Sequence, residues 1–267
     1  MDLQLNGKRA LVTGSSSGIG EAIAKILARE GVSVVVHGRS QERTNRVAQE
    51  IIADGGKAEA AIGELDTDET AKTVAEKALS SFGGVDILIN NAGAFPMHGW
   101  MDSTAEQWVQ LYNANVGSMV RMIQLIVPQM KELGWGRIIQ IGSGVGTQPF
   151  GGQPDYAATK AVNINMTVSL AKELAGTGIT VNTVSPGPIE TAGFDEILLQ
   201  MVKAQGSGTN LEEMKAQMLK GPMSNPAGRL GTPEDVAHLV TFVSSPLASY
   251  INGANLRVDG GWTQSIN

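Results

Sequence analysis

Short apolar segments rich in Val and Ile recur along the chain, each followed by residues with helical apolar spacing. This alternation limits the fold more than any other feature of the sequence. "RALVTG" (9–14) runs into "GIGEAIAKILAREG" (18–31), which halts at Gly31. "VSVVVH" (32–37) precedes a polar helix over about 40–54, and "KAEAAIG" (57–63) precedes "DETAKTVAEKALSSF" (68–82). "VDILIN" (85–90), "GRIIQIGS" (136–143) and "GITVNTVSPG" (178–187) read as further strands, with helices expected over 103–113, 115–133, 155–175 and 233–244. Strands that alternate with helices pair in parallel through right-handed crossovers. Near-continuous apolar strands fit a sheet buried on both faces. The expected fold is α/β: a three-layer, doubly wound parallel sheet of Rossmann type, one domain over 1–267, with ligands beyond the strands' carboxyl ends.

One stretch breaks the rhythm. Residues 188–227, rich in Met, Leu, Gly and Gln, insert one or two helices before the last helix. Such a segment is either a lid over a site or an element for packing and subunit contact.

Composition removes several classes of function. The net charge is −6 and no basic run occurs, so nucleic acid and anionic membrane are not expected partners. The chain has no cysteine, hence no disulfide and no thiolate chemistry. His37, His98 and His238 share no ligand spacing, and no metal site is expected. "MDLQLNGKRA" lacks a signal-peptide core, and no apolar run approaches the roughly 20 residues that cross a bilayer. The expectation is a soluble, cytoplasmic protein that handles a small molecule.

Four motifs carry chemistry. In "TGSSSGIG" (13–20), Gly14, Gly18 and Gly20 permit a sharp turn, and the following helix offers free N–H groups to a pyrophosphate. A glycine-rich turn without a ligand would look the same. At the end of the second strand stands Arg39, where a carboxylate would repel a 2′-phosphate and a guanidinium can grip it. That favours NADP(H) and leaves NAD(H) possible, since Arg39 could also be merely solvated. "NNAG" (90–93) and Ser143 end strands at the same edge, although each alone is also a turn or cap signal. "YAATK" (156–160) sets a phenol and an ammonium four residues apart on a helix. A nearby cation lowers a phenol's pKa, so the pair reads as a tuned acid if it faces a pocket, and as a surface contact if it does not.

Together these motifs resemble the short-chain dehydrogenase/reductase family, of the single-domain type. The resemblance spans nearly the whole chain: TGxxxGxG at 13–20, NNAG at 90–93, Asn115 in "NANVG", Ser143, Tyr-x-x-x-Lys at 156–160, "PGPIET" (186–191) and "YINGANLRVDGG" (250–261). It implies hydride transfer between nicotinamide and a carbonyl or secondary alcohol. Tyr156 would be the general acid and base, with Lys160 lowering its pKa. Ser143 would donate to the substrate oxygen, and Asn115 would hold a water on a path to solvent. By the same resemblance Gly14, Ser16, Ser17, Gly18, Ile19, Gly20, Arg39, Asn91, Ala92, Gly93, Tyr156, Lys160, Pro186, Gly187, Ile189 and Thr191 should bind cofactor. Near the adenine the family often has an Asp before a small apolar residue, whereas this chain has Glu64 and Leu65. Phe95, Met97, Val145, Phe150 and Gln153 are expected to line the substrate side. They suggest a neutral, fairly apolar ketone or alcohol of 3-oxoacyl, cyclic or polyol type. A homotetramer is the family expectation, and a nucleotide-sensing protein without turnover is the rival on the same fold.

Overall fold

Strand β1 (Arg9–Val12) leads through helix α1 (Gly18–Arg29) to β2 (Ser33–Gly38), then α2 (Gln41–Ala53), β3 (Lys57–Ile62), α3 (Asp68–Ser81) and β4 (Ile87–Asn90). The second half runs α4 (Ala105–Tyr112), α5 (Ser118–Leu133), β5 (Gly136–Ile141), α6 (Pro154–Glu173), β6 (Ile179–Pro186), α7 (Ala192–Gln205), α8 (Leu211–Lys220), α9 (Pro233–Val243) and β7 (Asn255–Val258). The computed structural model describes residues 1–205 and 210–264. Its strands form one parallel sheet in the order β3-β2-β1-β4-β5-β6-β7. The order reverses direction between β1 and β4, which opens a crevice at their carboxyl ends.

Alternating strand residues feed two cores, which is why the strands read as unbroken apolar runs. Ala10, Val12, Val34, Val36, Ile87, Ile89, Ile139 and Ile141 pack on the side of α1, α2 and α9. Leu11, Val35, Leu88, Ile138 and Val181 pack with α3, α5 and α6. Helix starts follow local chemistry: Thr67 Oγ1 accepts from Thr70 N (3.2 Å), and Thr104 and Thr232 form capping boxes with Gln107 and Asp235.

The structure departs from the sequence reading in two places. The helices expected over 103–113 and 115–133 are one continuous rod, because a π-helical turn, Asn113–Gly117, joins α4 to α5. Such turns widen a helix locally and recur at functional sites. The second departure is β7, a four-residue edge strand with no fully buried side chain, whose mixed polarity hides it among turn signals. The 188–227 insertion contains α7 and α8, and its residues 206–209 lie outside the described residues.

The start of the switch is pinned by one carboxylate. Asp86 accepts from the Arg9 main-chain N (2.9 Å), Nε (2.9 Å) and Nη2 (2.6 Å), locking the entry of β1 to that of β4. Asp86→Ala strands these donors and should lower unfolding free energy by about 1–3 kcal/mol. Urea denaturation would show a lower midpoint at unchanged slope.

Candidate active site

Each motif at the carboxyl edge is held by its neighbour. Thr13 Oγ1 accepts from Asn91 N and Ala92 N, both at 3.0 Å, while Asn91 Nδ2 donates to Thr13 O (2.9 Å) and Gly14 O (3.0 Å). Gly14 has φ +64°, and a Cβ there would stand 2.8 Å from Ala92 Cα. A Cβ on Gly20 would stand 2.5 Å from Asn91 Nδ2. The glycines therefore serve two demands, the turn itself and its fusion to the end of β4. Asn91 spends its side-chain and backbone N–H donors on that fusion and has its side-chain carbonyl oxygen left for a ligand.

The turn rests on a residue that the sequence reading passed over. His37, buried at the end of β2, accepts from Gly14 N at Nδ1 (3.1 Å) and reaches Gly63 O with Nε2 (3.2 Å). Burial pushes its pKa down to about 4, so the imidazole is neutral near pH 7, with Nε2 carrying the proton. His37 thereby ties the glycine turn to the stretch where Glu64 is exposed and Leu65 is buried in the core. Its sequence signal is faint: a histidine that ends a β-branched run.

A nicotinamide dinucleotide fits the groups arranged here. Ser17 precedes α1 without capping it by its side chain, so no side chain competes for the N–H groups of Gly18, Ile19 and Gly20. A cavity of about 270 Å³ lies between Gly18 and Glu21 of α1 and the Glu190–Ala192 segment. Gly38 faces Ser16, whose Oγ would lie 2.7 Å from a Cβ placed there. Arg39 is exposed and forms no ion pair among the described residues. On the far side, Pro186 ends β6, Gly187 N donates to Val258 O (2.9 Å), and Ile189 bridges to Gly231. Thr191 comes within 3.6 Å of where a Cβ on Gly18 would stand.

Beside this crevice stand the reacting-group candidates. Ser143 follows β5, accepts from Val145 N (3.4 Å) and stands beside Tyr156, where its hydroxyl acts to lower the phenol's pKa. The cap reading of Ser143 is thus met by the Val145 bond. Tyr156 stands in the first turn of α6, and Lys160 one turn on, with Nζ 5.6 Å from the phenol ring centroid. The ammonium donates to Ile141 O (2.8 Å). Burial lowers the Lys160 pKa to about 8 and raises that of Tyr156 to about 12, with the Ser143 hydroxyl pulling the phenol partly back. The expected lowering of the phenol by its cation is therefore absent from this geometry, since the ammonium faces a backbone carbonyl and desolvation dominates.

Asn115 sits fully buried on the π-helical turn. Its Oδ1 accepts from Ala94 N (2.7 Å), and its Nδ2 donates to Ala94 O (2.9 Å) and Thr159 Oγ1 (3.1 Å). Thr159 in turn donates to Tyr156 O (2.8 Å). Asn115 thus joins the loop after "NNAG" to α6, and Gly93 completes the joint, where a Cβ would meet Asn115 Oδ1 at 2.9 Å. Phe95, Met97 and Phe150 are largely exposed near this edge, with Val145 and Gln153 buried. Lys215 of α8, buried, pairs with Glu190, Asp195 (3.0 Å) and Glu212 (3.5 Å). This ties α8 to α7 and to the turn that holds Ile189 and Thr191.

Comparison with known proteins agrees with this arrangement. Residues 8–201 match the short chain dehydrogenase family. The 3-oxoacyl-[acyl-carrier-protein] reductase FabG of Vibrio cholerae is 40% identical over 97% of this chain and 98% of its own. The uncharacterized oxidoreductase YvaG of Bacillus subtilis is 38% identical over all of both chains. L-Sorbose reductase from Gluconobacter frateurii, solved with NADPH and L-sorbose, superposes with a TM-score of 0.95 at 32% identity, over all of both chains. A parallel sheet with its switch between β1 and β4, a glycine turn fused to "NNAG" and a Ser–Tyr–Lys cluster at one edge thus belong to an oxidoreductase, and the chain is a member of the short-chain dehydrogenase family.

Proposed function

We propose that the protein transfers a hydride between NADP(H) and a carbonyl or secondary-alcohol carbon, with Tyr156 as general acid and base. The observation that supports this reading is the cluster at the carboxyl edge: Ser143 beside Tyr156, acting to lower the phenol's pKa, with the Lys160 ammonium 5.6 Å from the ring. The bound cofactor would supply the hydride in reduction and accept it in oxidation. Gly14, Ser16, Ser17, Gly18, Ile19, Gly20 and Asn91 to Gly93 would hold its pyrophosphate and ribose side, and Pro186 to Thr191 its nicotinamide side. Tyr156 gives its proton to the substrate oxygen in reduction, and Ser143 donates to the same oxygen as negative charge grows there. A phenol raised to about 12 stays protonated at neutral pH, which suits the donor role. Negative charge left on Tyr156 would draw the Lys160 ammonium away from Ile141 O, and Asn115 orients α6 through Thr159.

Phe95, Met97, Phe150 and Val145 support a neutral, fairly apolar substrate. The relatives named for 3-oxoacyl and L-sorbose reduction bracket the range to be screened. We read 188–227 as a lid, its two helices bound into one unit by Lys215. Exposed Val109, Tyr112, Leu133 and Val168 on α4, α5 and α6 are compatible with a homotetramer.

Three measurements test the reading. A panel of 3-oxoesters, cyclic ketones and ketoses, followed by NADPH absorbance, should give turnover that Tyr156→Phe lowers by about 10²–10⁴-fold. NADPH affinity should hold in that variant, and unchanged turnover would refute the role of Tyr156. Reduction should slow as pH rises through about 8, where Lys160 loses its proton, and Lys160→Arg should remove that descending limb. Arg39→Asp should move preference toward NAD(H) by roughly tenfold or more, about 1.4 kcal/mol. An unaltered cofactor ratio would assign the phosphate to another group.

A further inference from the structure

The residue before Tyr156 is a carboxylate with almost no access to solvent. Asp155 is 1% exposed, and its Oδ1 accepts from Tyr156 N at 2.8 Å. Its Oδ2 is buried without a hydrogen-bond partner. The nearest basic group is the imidazole of His98, whose Nδ1 lies 3.5 Å from Oδ2 and is itself buried and unpartnered. The start of α6 favours a negative charge, but a half-satisfied buried carboxylate remains costly. Two orphaned atoms that face each other on two different elements relieve this together, by a movement of a few tenths of an ångström.

His98 belongs to the loop between β4 and α4. That loop has a second tie to the same end of α6, since Gln153 Nε2 donates to Pro96 O (2.9 Å). Between and beside the two ties stand Phe95, Met97 and Trp100, all exposed. Phe95 reaches α7, where its Cζ would be 3.5 Å from a Cβ on Gly193. Trp100 leans on Trp108 of α4, with ring centroids 5.1 Å apart. The loop is therefore an apolar wall whose distance from the Tyr156 hydroxyl is set at residues 153 and 155.

We propose that His98 and Asp155 form a positioning pair that holds this wall against the catalytic helix and so sets how closely a substrate carbonyl fits, the protonated imidazole being the holding form. The proposal rests on the reading of Tyr156 as the reacting acid. Asp155 faces His98 from α6, followed there by Tyr156. On the loop itself the carboxylate of Asp102 lies near Gly99, 3.4 Å from where its Cβ would stand. An imidazolium at His98 would complete Asp155 with a charged hydrogen bond, and loss of that proton would weaken the pair and loosen the wall. Substrate KM should therefore rise with pH, whereas kcat follows Tyr156 and Lys160.

Two readouts decide the matter. With three histidines in the chain, imidazole titrations by NMR on the full-length protein can be assigned with His98→Gln. Asp155→Asn should move the His98 titration to lower pH by about half a unit or more, a threefold change in proton affinity. An unmoved titration means that no pair forms and overturns the proposal without reference to turnover. In the NADPH assay, with ethyl acetoacetate and L-sorbose as probes, wild-type KM for the probe that is turned over should rise about threefold or more from about pH 5.5 to about pH 8.5. His98→Gln and Asp155→Asn should show a raised KM that no longer depends on pH, with NADPH affinity within about twofold of wild type. A variant KM that still tracks pH as wild type does would also overturn the proposal. If Tyr156→Phe retains turnover while the His98 titration still shifts, the assignment of Tyr156 fails and the pair stands.

Discussion

The geometry of the site depends on one junction, the hydrogen-bonded fusion of the carboxyl ends of β1 and β4. Four bonds cross it, two to the Thr13 hydroxyl from Asn91 N and Ala92 N, and two from the Asn91 amide to Thr13 O and Gly14 O. Strands that diverge at a switch point would leave these backbone groups bare in a crevice, where each unpaired group costs about 1–3 kcal/mol. Bridging them with side chains leaves the backbone N–H groups of the following helix available to a ligand. The glycine pattern is a consequence. Gly14 and Gly20 carry no Cβ because Ala92 and Asn91 already occupy that space, 2.8 Å and 2.5 Å away. The motif thus records a protein–protein contact as much as a protein–ligand one.

A second junction, between β4's following loop and α6, governs the chemistry. Asn115 reaches both the Ala94 backbone and Thr159, and it can do so because the helical rod widens at Asn113–Gly117. Thr159 then fixes the turn of α6 that begins at Tyr156. The phenol and the ammonium are placed by α6 and the serine hydroxyl by the end of β5, so their mutual geometry is only as good as the links between these elements. Electrostatics adds a tension: burial drives the phenol up to about 12 and the ammonium down to about 8, which parts two groups whose values in water nearly coincide.

Much of this was legible from the residues. The parallel sheet followed from runs such as "VSVVVH" and "VDILIN", and the site from motifs that fall at the ends of those runs. What stayed hidden has physical reasons. β7 is an edge strand of four residues with mixed polarity, so neither periodicity nor burial marks it. The π-helical turn has the composition of an ordinary helix. His37 looked like an isolated histidine because its partners, Gly14 and Gly63, lie 23 and 26 residues away and offer only backbone atoms. The direction of the Tyr156 shift could not be read from "YAATK", because spacing fixes which face the two groups share and says nothing of how much water reaches them.

The same contrast between spacing and solvation bears on the insertion. Lys215, Glu190, Asp195 and Glu212 are scattered over 26 residues of sequence and meet at one buried ammonium. Three carboxylates hold that ammonium firmly in its charged state, well above the ordinary lysine range. Separating α8 from the Glu190 turn would leave an ammonium that is now shielded from water without its counter-charges, a costly intermediate for any hinge placed there. Movement of the insertion is therefore better accommodated with Glu190 than against it. Because Ile189 and Thr191 flank Glu190, such a movement would carry along the contacts proposed for the nicotinamide side, coupling access to the crevice with the hold on whatever lies in it.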